Sequence, residues 1–425
     1  MTTTHTADVV IVGSGFGGIA AARRLARRGY RALVVSETAH YLFQPLLYQV
    51  ATGILEPKII ATAVEDTVPT DVEVLKAQVT GVDAAAQKLF ATTDGHDVTI
   101  EYNWLIAATG SAQAYFGRPE FAEHTFALKT AADATTLRDH IHERFVIAAD
   151  TTADAAARNR AASFVIVGAG ATGVETAGEI AELAKRHFHQ DVQITLVDGA
   201  PDVLPAYGGK LSAYARQRLT DAGITVITGA MVTELDATGA TIEHDGAPTR
   251  LDADTVVWAA GMRAADFAAA LAATSGCPTD RAGRLLINND LTVGGYANVF
   301  AIGDMTALHD YPGQSPVAMQ QGRHAADTIT GKHQRGTEFR YFDKGSMAML
   351  NRLGAVTDVR DTIKMTGPLA WVTWLLVHLY YLAGLKHRTQ ALADWARAFV
   401  GRGRPGYATY APIRVPDDDK ERVVA

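Results

Sequence analysis

The chain has 425 residues, enough for two or three domains that each bury a hydrophobic core. Its apolar content of 48% is that of a folded protein, and its net charge of −7 gives no reason to expect a nucleic-acid partner. The single cysteine, Cys277, excludes an intramolecular disulfide and a redox-active cysteine pair, and it suits a reducing compartment. Residues Met1–Ala7 lack the basic region of a secretory signal, so we expect no such signal.

The first predicted element is a buried strand, Asp8–Val12, that leads into a glycine-rich turn and then into a helix, Ile19–Arg28. Such a turn predicts a dinucleotide site, because its first glycine allows a tight turn and its second lets backbone amides approach a pyrophosphate. The third glycine lets the helix pack closely on the strand, and the positive helix N-terminus favours the phosphates. The three glycines are Gly13, Gly15 and Gly18.

A second strand, Ala32–Val35, completes this βαβ unit at the point where a polar side chain usually binds a ribose. Ser36 comes first and Glu37 follows one residue later. Either side chain could accept a hydrogen bond from a ribose hydroxyl, and the sequence leaves both open.

Two later strands end in small residues. Trp104–Ala108 is followed by Thr109 and Gly110, and Val256–Ala260 is followed by Gly261. Small residues at a strand end allow a crossing chain or a cofactor to lie against the backbone. We therefore expect both strand ends to lie beside a bound cofactor.

The first unit is repeated in the middle of the chain. The strand Phe164–Val167 leads into a second glycine-rich turn and a helix from Ala171 to about Phe188, and a strand over Val192–Val197 follows. Two such units indicate two different dinucleotides whose reactive rings are brought together, which is the arrangement of a redox enzyme. The glycines of the second turn are Gly168, Gly170 and Gly173.

Asp198 stands at the ribose position of the second unit. A carboxylate there accepts hydrogen bonds from the ribose hydroxyls and repels a 2′-phosphate, and no arginine follows as far as Asp202. The second unit is therefore predicted to prefer NADH to NADPH.

A further apolar strand, Asn298–Ile302, delivers Gly303 and Asp304 at its carboxyl end. Ligands bind at that edge of open α/β sheets. With two nucleotide units upstream, we interpret Asp304 as an acceptor for a ribityl hydroxyl of a flavin.

The stretch Gly367–Leu385 contains no formal charge, and its aromatic residues are spread along it. An apolar stretch beside basic residues favours an interfacial helix on an anionic membrane surface. A helix buried in a homodimer contact and a true membrane span are the alternatives. The basic residues that follow are Lys386, His387, Arg388, Arg397, Arg402 and Arg404.

From Tyr41–Ala51, which reads YLFQPLLYQVA, the chain resembles the type II NADH dehydrogenases, the single-chain NADH:quinone oxidoreductases of respiratory membranes. The resemblance extends over nearly the whole chain. The other matching stretches are Ala108–Gly110, Gly173–Glu175, Val257–Gly261, Ile302–Asp304, Gln320–Arg323, Arg340–Gly345 and the aromatic C-terminal segment.

This resemblance implies FAD in the first unit and NADH, as substrate, in the second. It implies that Glu175 lies near the nicotinamide and the flavin, and that Gln320 and Lys344 line the quinone side. The FAD would be held by the first glycine turn with Asp304 on its ribityl chain. The other residues of matching stretches that we expect near the cofactors are Gln44, Pro45, Thr109, Gly110, Gly261 and Gly303.

The sequence thus predicts an α/β fold with two Rossmann-like dinucleotide-binding domains and a C-terminal membrane-associating helical segment. The predicted domains are an FAD domain over 1–115 and 285–335, an NADH domain over 116–284 and a membrane-association domain over 336–425. The expected reaction is NADH oxidation with electron transfer to a membrane quinone, without proton pumping, by a peripheral protein on the cytoplasmic face of the cell membrane.

Pro316 departs from the family pattern, which has a glutamine at this position of the quinone segment. Proline supplies neither a side-chain amide nor a backbone N–H. An NADH-dependent flavoenzyme that reduces a non-quinone small molecule is therefore one alternative. A membrane-docked NADH-binding or redox-sensing protein is a separate alternative. We predict no metal site at His140–His142 or His187–His189, since neither pair has a nearby cysteine.

Overall fold

A computed structural model describes residues 3–360, 362–401, 403–410, 413–415 and 422–424. These residues form two compact units, and each unit is assembled from three stretches of chain. Unit 1 draws its described residues from Met1–Leu42, Thr62–Ala112 and Met262–Lys344, and unit 2 draws its own from Phe43–Ala61, Gln113–Gly261 and Gly345–Ala425.

The helices vary from single turns to 19 residues. In chain order the described α-helices are α1 (Phe16–Ala26), α2 (Leu47–Ala51), α3 (Pro57–Ile60), α4 (Val64–Thr67), α5 (Ala131–Ala149), α6 (Ala155–Ala161), α7 (Ala171–Leu183), α8 (Gly209–Asp221), α9 (Asp266–Ser275), α10 (Ser315–Ile329), α11 (Gly367–Tyr381) and α12 (Leu385–Trp395).

The strands in chain order are β1 (Thr3–Val12), β2 (Ala32–Ser36), β3 (His40–Leu42), β4 (Ala61–Ala63), β5 (Val72–Lys76), β6 (Gln78–Asp83), β7 (Lys88–Thr93), β8 (His96–Ala107), β9 (Ser111–Gln113), β10 (Ser163–Val167), β11 (Gln193–Asp198), β12 (Ile224–Thr228), β13 (Ala230–Asp236), β14 (Gly239–His244), β15 (Ala247–Asp252), β16 (Thr255–Trp258), β17 (Met262–Ala264), β18 (Leu285–Leu286), β19 (Thr292–Val293), β20 (Tyr296–Ala301), β21 (Thr306–Ala307), β22 (Ser346–Asn351), β23 (Gly354–Val359), β24 (Ile363–Thr366), β25 (Ile413–Val415) and β26 (Arg422–Val424).

Unit 1 is organised around a mainly parallel sheet in the order β19-β20-β8-β1-β2-β5. Strand β1 pairs in parallel with β2 and β8, and β8 pairs in parallel with β20. The apolar run Val9–Val12 of β1 is buried because helices cover both faces of such a sheet. The antiparallel strands β6 and β7 extend the same sheet from β8.

Unit 2 contains a smaller parallel sheet in the order β12-β11-β10-β16. Strand β10 pairs with both β11 and β16, so its whole length is buried. A three-stranded antiparallel sheet, β13-β14-β15, and a second one, β22-β23-β24, also belong to this unit. The structure thus confirms the predicted α/β class and both predicted Rossmann-like strand–turn–helix repeats.

The observed elements lie close to the predicted ones. Helix α1 begins at Phe16 and ends at Ala26, earlier at both ends than the predicted Ile19–Arg28. Helix α7 ends at Leu183, and a π-helical turn, Ala184–Phe188, completes the predicted span. The apolar stretch Gly367–Leu385 is not one helix, because the chain bends after Tyr381 and α12 begins at Leu385.

The two compact units do not have the boundaries of the three predicted domains. Unit 2 includes the C-terminal stretch from Gly345 as well as Phe43–Ala61, instead of leaving a separate domain over 336–425. The three-domain division stays a prediction about which part of the chain binds which partner. No helix in the described ranges has the length and apolar character to cross a bilayer.

Candidate active site

The glycine turn of unit 1 has the geometry that a pyrophosphate site needs. Gly13 has φ +108°, and a Cβ there would lie 2.4 Å from the carbonyl oxygen of Ala108. A Cβ on Gly18 would lie 2.0 Å from the carbonyl oxygen of Gly13, so a side chain would push α1 away from the turn. Gly15, at the N-terminus of α1, has open space where its Cβ would be.

The two candidates for the ribose position differ in exposure. Ser36 is buried, its Oγ lies 2.7 Å from the Oγ of Ser14, and it donates a hydrogen bond to the carbonyl oxygen of Thr38. Glu37 is exposed. Ser36 therefore stabilises the turn from within, and the carboxylate of Glu37 is the accessible acceptor.

Asp304 lies at the carboxyl edge of the unit 1 sheet, as predicted. Its Oδ2 accepts a hydrogen bond from Ser111 Oγ at 3.3 Å, and the amide of Gly303 donates to Gln321 Oε1 at 2.7 Å. Thr109 Oγ1 lies 3.3 Å from the sulfur of Met305. Since β8 and β20 are hydrogen-bonded neighbours, their carboxyl ends lie together.

A cavity of about 290 Å³ opens beside Asp304. Two arginines line it, but both are already paired: Arg263 with Asp266 at 2.5 Å and Arg284 with Asp280 at 2.7 Å. The cavity and the glycine turn belong to the same unit.

Gln320 and Lys344 are in different environments. Gln320 Nε2 donates to the carbonyl oxygen of Phe342 at 2.9 Å, and the amide of Phe342 donates to Gln320 Oε1 at 3.0 Å. Both ends of the glutamine side chain therefore hold the backbone two residues before Lys344. Lys344 is exposed.

Besides the second glycine turn and Asp198, three residues that were expected near the cofactors lie in unit 2. Gln44 is exposed and donates to the carbonyl oxygen of Lys129 at 3.3 Å, and Pro45 lies in the short 3₁₀ helix Gln44–Leu46. The carbonyl oxygen of Gly261 accepts from Gln113 Nε2 at 2.8 Å.

The glycine turn of unit 2 repeats the geometry of the first. Gly168 has φ +109°, and a Cβ there would lie 2.8 Å from the carbonyl carbon of Ala259. A Cβ on Gly173 would lie 1.7 Å from the carbonyl oxygen of Gly168, whereas Gly170 has open space. The same three constraints in two separate sheets indicate two phosphate-binding turns.

Asp198 ends β11 and closes this turn. Its Oδ2 accepts from the amide of Ala169 at 2.5 Å, and its Oδ1 accepts from the amide of Ala200 at 2.7 Å. The side chain is half-buried, so the carboxylate orders the loop and keeps part of its surface accessible.

Glu175, in the first half of α7, is buried with a relative exposure of 7%. Its Oε1 accepts from the amide of Met349 in β22 at 3.0 Å. Burial raises the pKa of Glu175 to about 8, and the hydrogen bond from Met349 only partly opposes that effect. The carboxyl group is therefore protonated at neutral pH.

A second buried carboxylate, Glu179, lies one helical turn after Glu175. Its Oε2 is 3.1 Å from Nη1 of Arg404, and the Arg404 side chain is itself buried. Tyr48, in α2, is buried in the same cluster, and burial, followed by the two glutamates, raises its pKa well above the ordinary value. We define Tyr48, Glu175, Glu179 and Arg404 as the buried carboxylate cluster.

The sequence interpretation missed three members of this cluster. The spacing of Glu179 four residues after Glu175 places both on one helix face and could have indicated it. Arg404 has no comparable signal, because its partner lies 225 residues earlier in the chain.

The predicted membrane segment has one buried and one exposed side. Ala370 and Trp374 of α11 are fully buried, and Trp374 stacks on His378 with ring centroids 3.8 Å apart. Burial lowers the pKa of His378 to about 4, so its ring is neutral. The opposite side carries large apolar side chains with relative exposures of 45–77%, together with the start of α12: Leu369, Val372, Leu376, Tyr380 and Leu385.

The basic residues after α11 differ in their exposure and partners. Arg404 is buried against Glu179, and Arg388 donates to the carbonyl oxygens of Leu382 and Tyr380 at the end of α11. Lys386 and Arg397 are exposed. Arg402 lies outside the described residues.

The two histidine pairs have other contacts. His140 Nε2 lies 3.0 Å from Thr255 Oγ1, and His142 packs against Tyr410 with ring centroids 4.5 Å apart. His187 packs against Phe188. Within the described ranges, no group of three or more side chains is arranged to hold a metal ion.

A model of the pyridine nucleotide-disulphide oxidoreductase family matches residues 7–322, a range that includes both glycine turns, Glu175, Asp198 and Asp304. The fold and the two turns thus define an oxidoreductase of this class. Since Cys277 is the single cysteine of the chain, the match depends on the nucleotide-binding parts and not on a disulfide.

Two relatives from Mycobacterium tuberculosis are type II NADH:quinone oxidoreductases. Ndh is 40% identical over 412 residues, which cover 93% of this chain and 89% of the relative. NdhA is 41% identical over 416 residues, which cover 93% and 88%. The chain therefore belongs to the type II NADH:quinone oxidoreductase family.

A solved structure, NDH2 from Plasmodium falciparum in complex with NADH, has the same fold. Its TM-score to this chain is 0.85 at 17% sequence identity, with 94% of this chain and 99% of the other covered. At that identity the similarity concerns the fold alone.

Proposed function

We propose that this protein is an FAD-dependent enzyme that oxidises NADH and reduces a quinone. The duplicated glycine turn is the observation that carries this proposal, because two phosphate-binding turns in two separate sheets imply two dinucleotides. Family membership supports the identity of both substrates.

The residues of unit 1 fit FAD. Gly13, Gly15 and Gly18 form a turn that is open at Gly15 and would be blocked by any Cβ at the other two positions. Asp304 would accept from the ribityl chain, and Glu37 is the accessible acceptor for the ribose. When bound, FAD supplies the two-electron chemistry that links NADH oxidation to quinone reduction.

The residues of unit 2 fit NADH as substrate. Gly168, Gly170 and Gly173 would place backbone amides at the pyrophosphate, and Asp198 would accept from the ribose hydroxyls. The carboxylate disfavours the 2′-phosphate of NADPH by charge repulsion. Unit 2 therefore binds and orients the hydride donor.

Quinone reduction to quinol needs two protons as well as two electrons. Glu175 is a protonated acid at neutral pH and is our candidate for holding one of these protons. Lys344 is a candidate for polarising a quinone oxygen. Gln320 acts indirectly, because its amide group is engaged with the backbone of Phe342.

We also propose that the exposed apolar side of α11 and the start of α12 bind the surface of an anionic bilayer. The exposed leucines Leu369, Leu376 and Leu385 would insert among lipids, and the exposed Lys386 would contact headgroups. Peripheral attachment at the cytoplasmic face would give access to a quinone dissolved in the membrane.

The proposed reaction is tested with the purified FAD-loaded protein. NADH oxidation is measured with short-chain menaquinone and ubiquinone analogues, and with ferricyanide as a non-quinone acceptor. We expect turnover with at least one quinone and a strong preference for NADH over NADPH. Turnover with ferricyanide but with neither quinone would contradict the proposal and favour a non-quinone acceptor.

A further inference from the structure

Helix α7 carries two buried carboxyl groups on one face, and they are not equivalent. Glu175 is bound by the amide of Met349, whereas Glu179 is bound by a guanidinium, that of Arg404. Glu179 is 1% exposed, and its second oxygen, Oε1, meets no hydrogen-bond donor in the described chain. Such an arrangement is costly, because a buried ion pair with an unsatisfied oxygen adds little stability.

Arg404 is held by more than its ion pair. Its guanidinium also lies 3.4 Å from the carbonyl oxygen of Thr52, at the end of α2. The amide of Gly406 donates to the carbonyl oxygen of Gly53 at 2.9 Å, and the ring of Tyr407 packs on Gly53 so closely that a Cβ there would lie 2.5 Å from it. The segment around Arg404 is therefore docked on the helix that carries Tyr48.

The same helix is held by a second contact from the C-terminal part of unit 2. Trp395 Nε1 donates to Gln49 Oε1 at 2.7 Å, and Gln49 Nε2 donates to the hydroxyl of Tyr48 at 3.2 Å. Tyr48 and the two glutamates of α7 are thus fixed in one cluster by residues that follow them by hundreds of positions.

The other titratable groups around the cluster are neutral or paired. Burial raises the pKa of Tyr48 and of Tyr207, so both phenols are protonated. The low pKa of His378, about 4, leaves its ring uncharged. The charged groups nearby compensate each other: Glu182 with Arg186 at 3.8 Å and Asp358 with Lys364 at 3.4 Å, while Arg218 of α8 donates to Asn351 of β22 at 2.9 Å.

We propose that Glu179 and Arg404 are a positioning pair that helps to keep a proton on the buried Glu175. Burial raises the pKa of Glu179, and the guanidinium of Arg404 at 3.1 Å opposes that effect and favours the ionised form. The negative charge of Glu179, one turn away in a buried site, in turn favours a proton on Glu175. For the proposed quinone reduction, on which this role rests, the pair keeps a proton available on a buried acid.

An electrostatic role predicts the direction in which the pKa of Glu175 shifts in each variant, whereas a purely structural role predicts no direction. Glu179→Gln removes the negative neighbour and leaves the positive charge of Arg404, so Glu175 should lose its proton at a lower pH. Arg404→Met leaves the negative charge of Glu179 uncompensated and should raise that pH. The double variant E179Q/R404M removes both charges and should fall between E179Q and the unmodified protein.

The test is an infrared pH titration of the FAD-loaded full chain, in which the protonated carboxyl band of Glu175 is identified by its loss in Glu175→Gln. We expect the midpoint to fall by on the order of one pH unit in Glu179→Gln and to recover in the double variant. Arg404→Lys keeps the charge and should stay near the unmodified midpoint. This readout needs neither NADH nor quinone, so it stands even if the proposed reaction fails.

An unchanged midpoint in Glu179→Gln would overturn the proposal, even if the variant melts at a lower temperature. If Glu179→Gln does not fold, the titration of Arg404→Lys beside Arg404→Met decides the matter. Equal midpoints in those two variants would also overturn it. If the protein reduces quinone, the pH at which turnover falls on the alkaline side should shift together with the infrared midpoint. A structural defect would instead lower turnover equally at every pH.

Discussion

At the scale of single residues, Glu175 links protonation to stability. Its pKa is about 8 in the folded chain against an ordinary value of 4.5, because burial disfavours the charged form. Between these two values the folded state keeps a proton that the unfolded state has released. Stability therefore falls as pH rises through this window and levels off above about pH 8.

Glu175→Gln removes this dependence, because the amide does not ionise. We expect equal stability of the variant and the unmodified protein near pH 5, and a more stable variant at pH 9 by on the order of a few kcal/mol. Urea unfolding at pH 5, 7 and 9 measures the difference. Glu243→Gln, at an exposed position of the same unit, should show no such pH trend. A parallel pH profile of E175Q and the unmodified protein would show that Glu175 is not protonated by burial.

Asp198 orders the turn, and we propose that it also binds the ribose. Asp198→Asn keeps one acceptor oxygen but loses the charge and one of the bonds to the amides of Ala169 and Ala200. We expect the KM for NADH to rise about tenfold or more and the preference over NADPH to shrink, with FAD content unchanged. Asp202→Asn, at a nearby exposed carboxylate, is the matched control. Steady-state kinetics with both nucleotides give the answer.

Pro316 occupies the first turn of α10, where a proline is favourable because the backbone N–H has no intrahelical partner. Pro316→Gln keeps the helix and adds an amide donor. If this position faces the quinone, we expect the KM for short-chain quinones to fall about threefold to tenfold, with ferricyanide turnover unchanged. Identical quinone kinetics would show that the proline does not limit quinone binding.

At the scale of elements, the sequence predicts those structural features that a short local pattern determines. Each strand–turn–helix unit is encoded within a short stretch, so Gly13 and Gly168 were assigned correctly as turn residues without knowledge of the fold. The pairing of Gln320 with Phe342, and of Arg404 with Glu179, depends on how distant segments fold together, so no periodic pattern in the sequence indicates it. The same reason explains why the sequence does not separate the buried Arg404 from the exposed Lys386, since the burial of Arg404 depends on a partner far away in the chain.

Helices α11 and α12 carry the proposed membrane-binding side. Leu376→Asp combined with Leu385→Asp places charges on the two exposed apolar positions. We expect binding to vesicles of anionic phospholipid to weaken at least about tenfold, because each leucine contributes roughly 1.5–3 kcal/mol when buried. Met231→Asp, at another exposed apolar position of unit 2, should bind as the unmodified protein does. Vesicle co-sedimentation measures this, and undiminished binding of the double variant would exclude this side as the docking surface.

At the scale of the whole molecule, two separate glycine turns predict that the two dinucleotides can be removed one at a time. Gly15 and Gly170 both have φ near −70° and open space at the Cβ position, so alanine fits the backbone at either site. We expect Gly15→Ala to give a folded protein that loses most of its FAD, and Gly170→Ala to give a flavin-loaded protein with a KM for NADH raised about tenfold or more. Flavin absorbance and circular dichroism separate the two outcomes.

The third glycine of each turn, where a side chain does not fit, provides the comparison for these two alanine variants. Gly18→Ala and Gly173→Ala would place a Cβ within 2.0 Å of a backbone oxygen, so these variants should lose stability as well as ligand. Loss of both FAD and NADH binding in Gly15→Ala and in Gly170→Ala alike would contradict two independent turns.

Unit 2 is assembled from three distant stretches of chain, and this has a consequence during translation. Helix α7 leaves the ribosome long before Arg404, which follows Glu179 by 225 residues, or roughly 10–45 s at ordinary elongation rates. During that interval the helix face that carries Glu175 and Glu179 lacks its partners in β22 and Arg404, which are synthesised later. The yield of native enzyme in a cell should therefore depend on chaperones that shelter this face until the last part of the unit arrives.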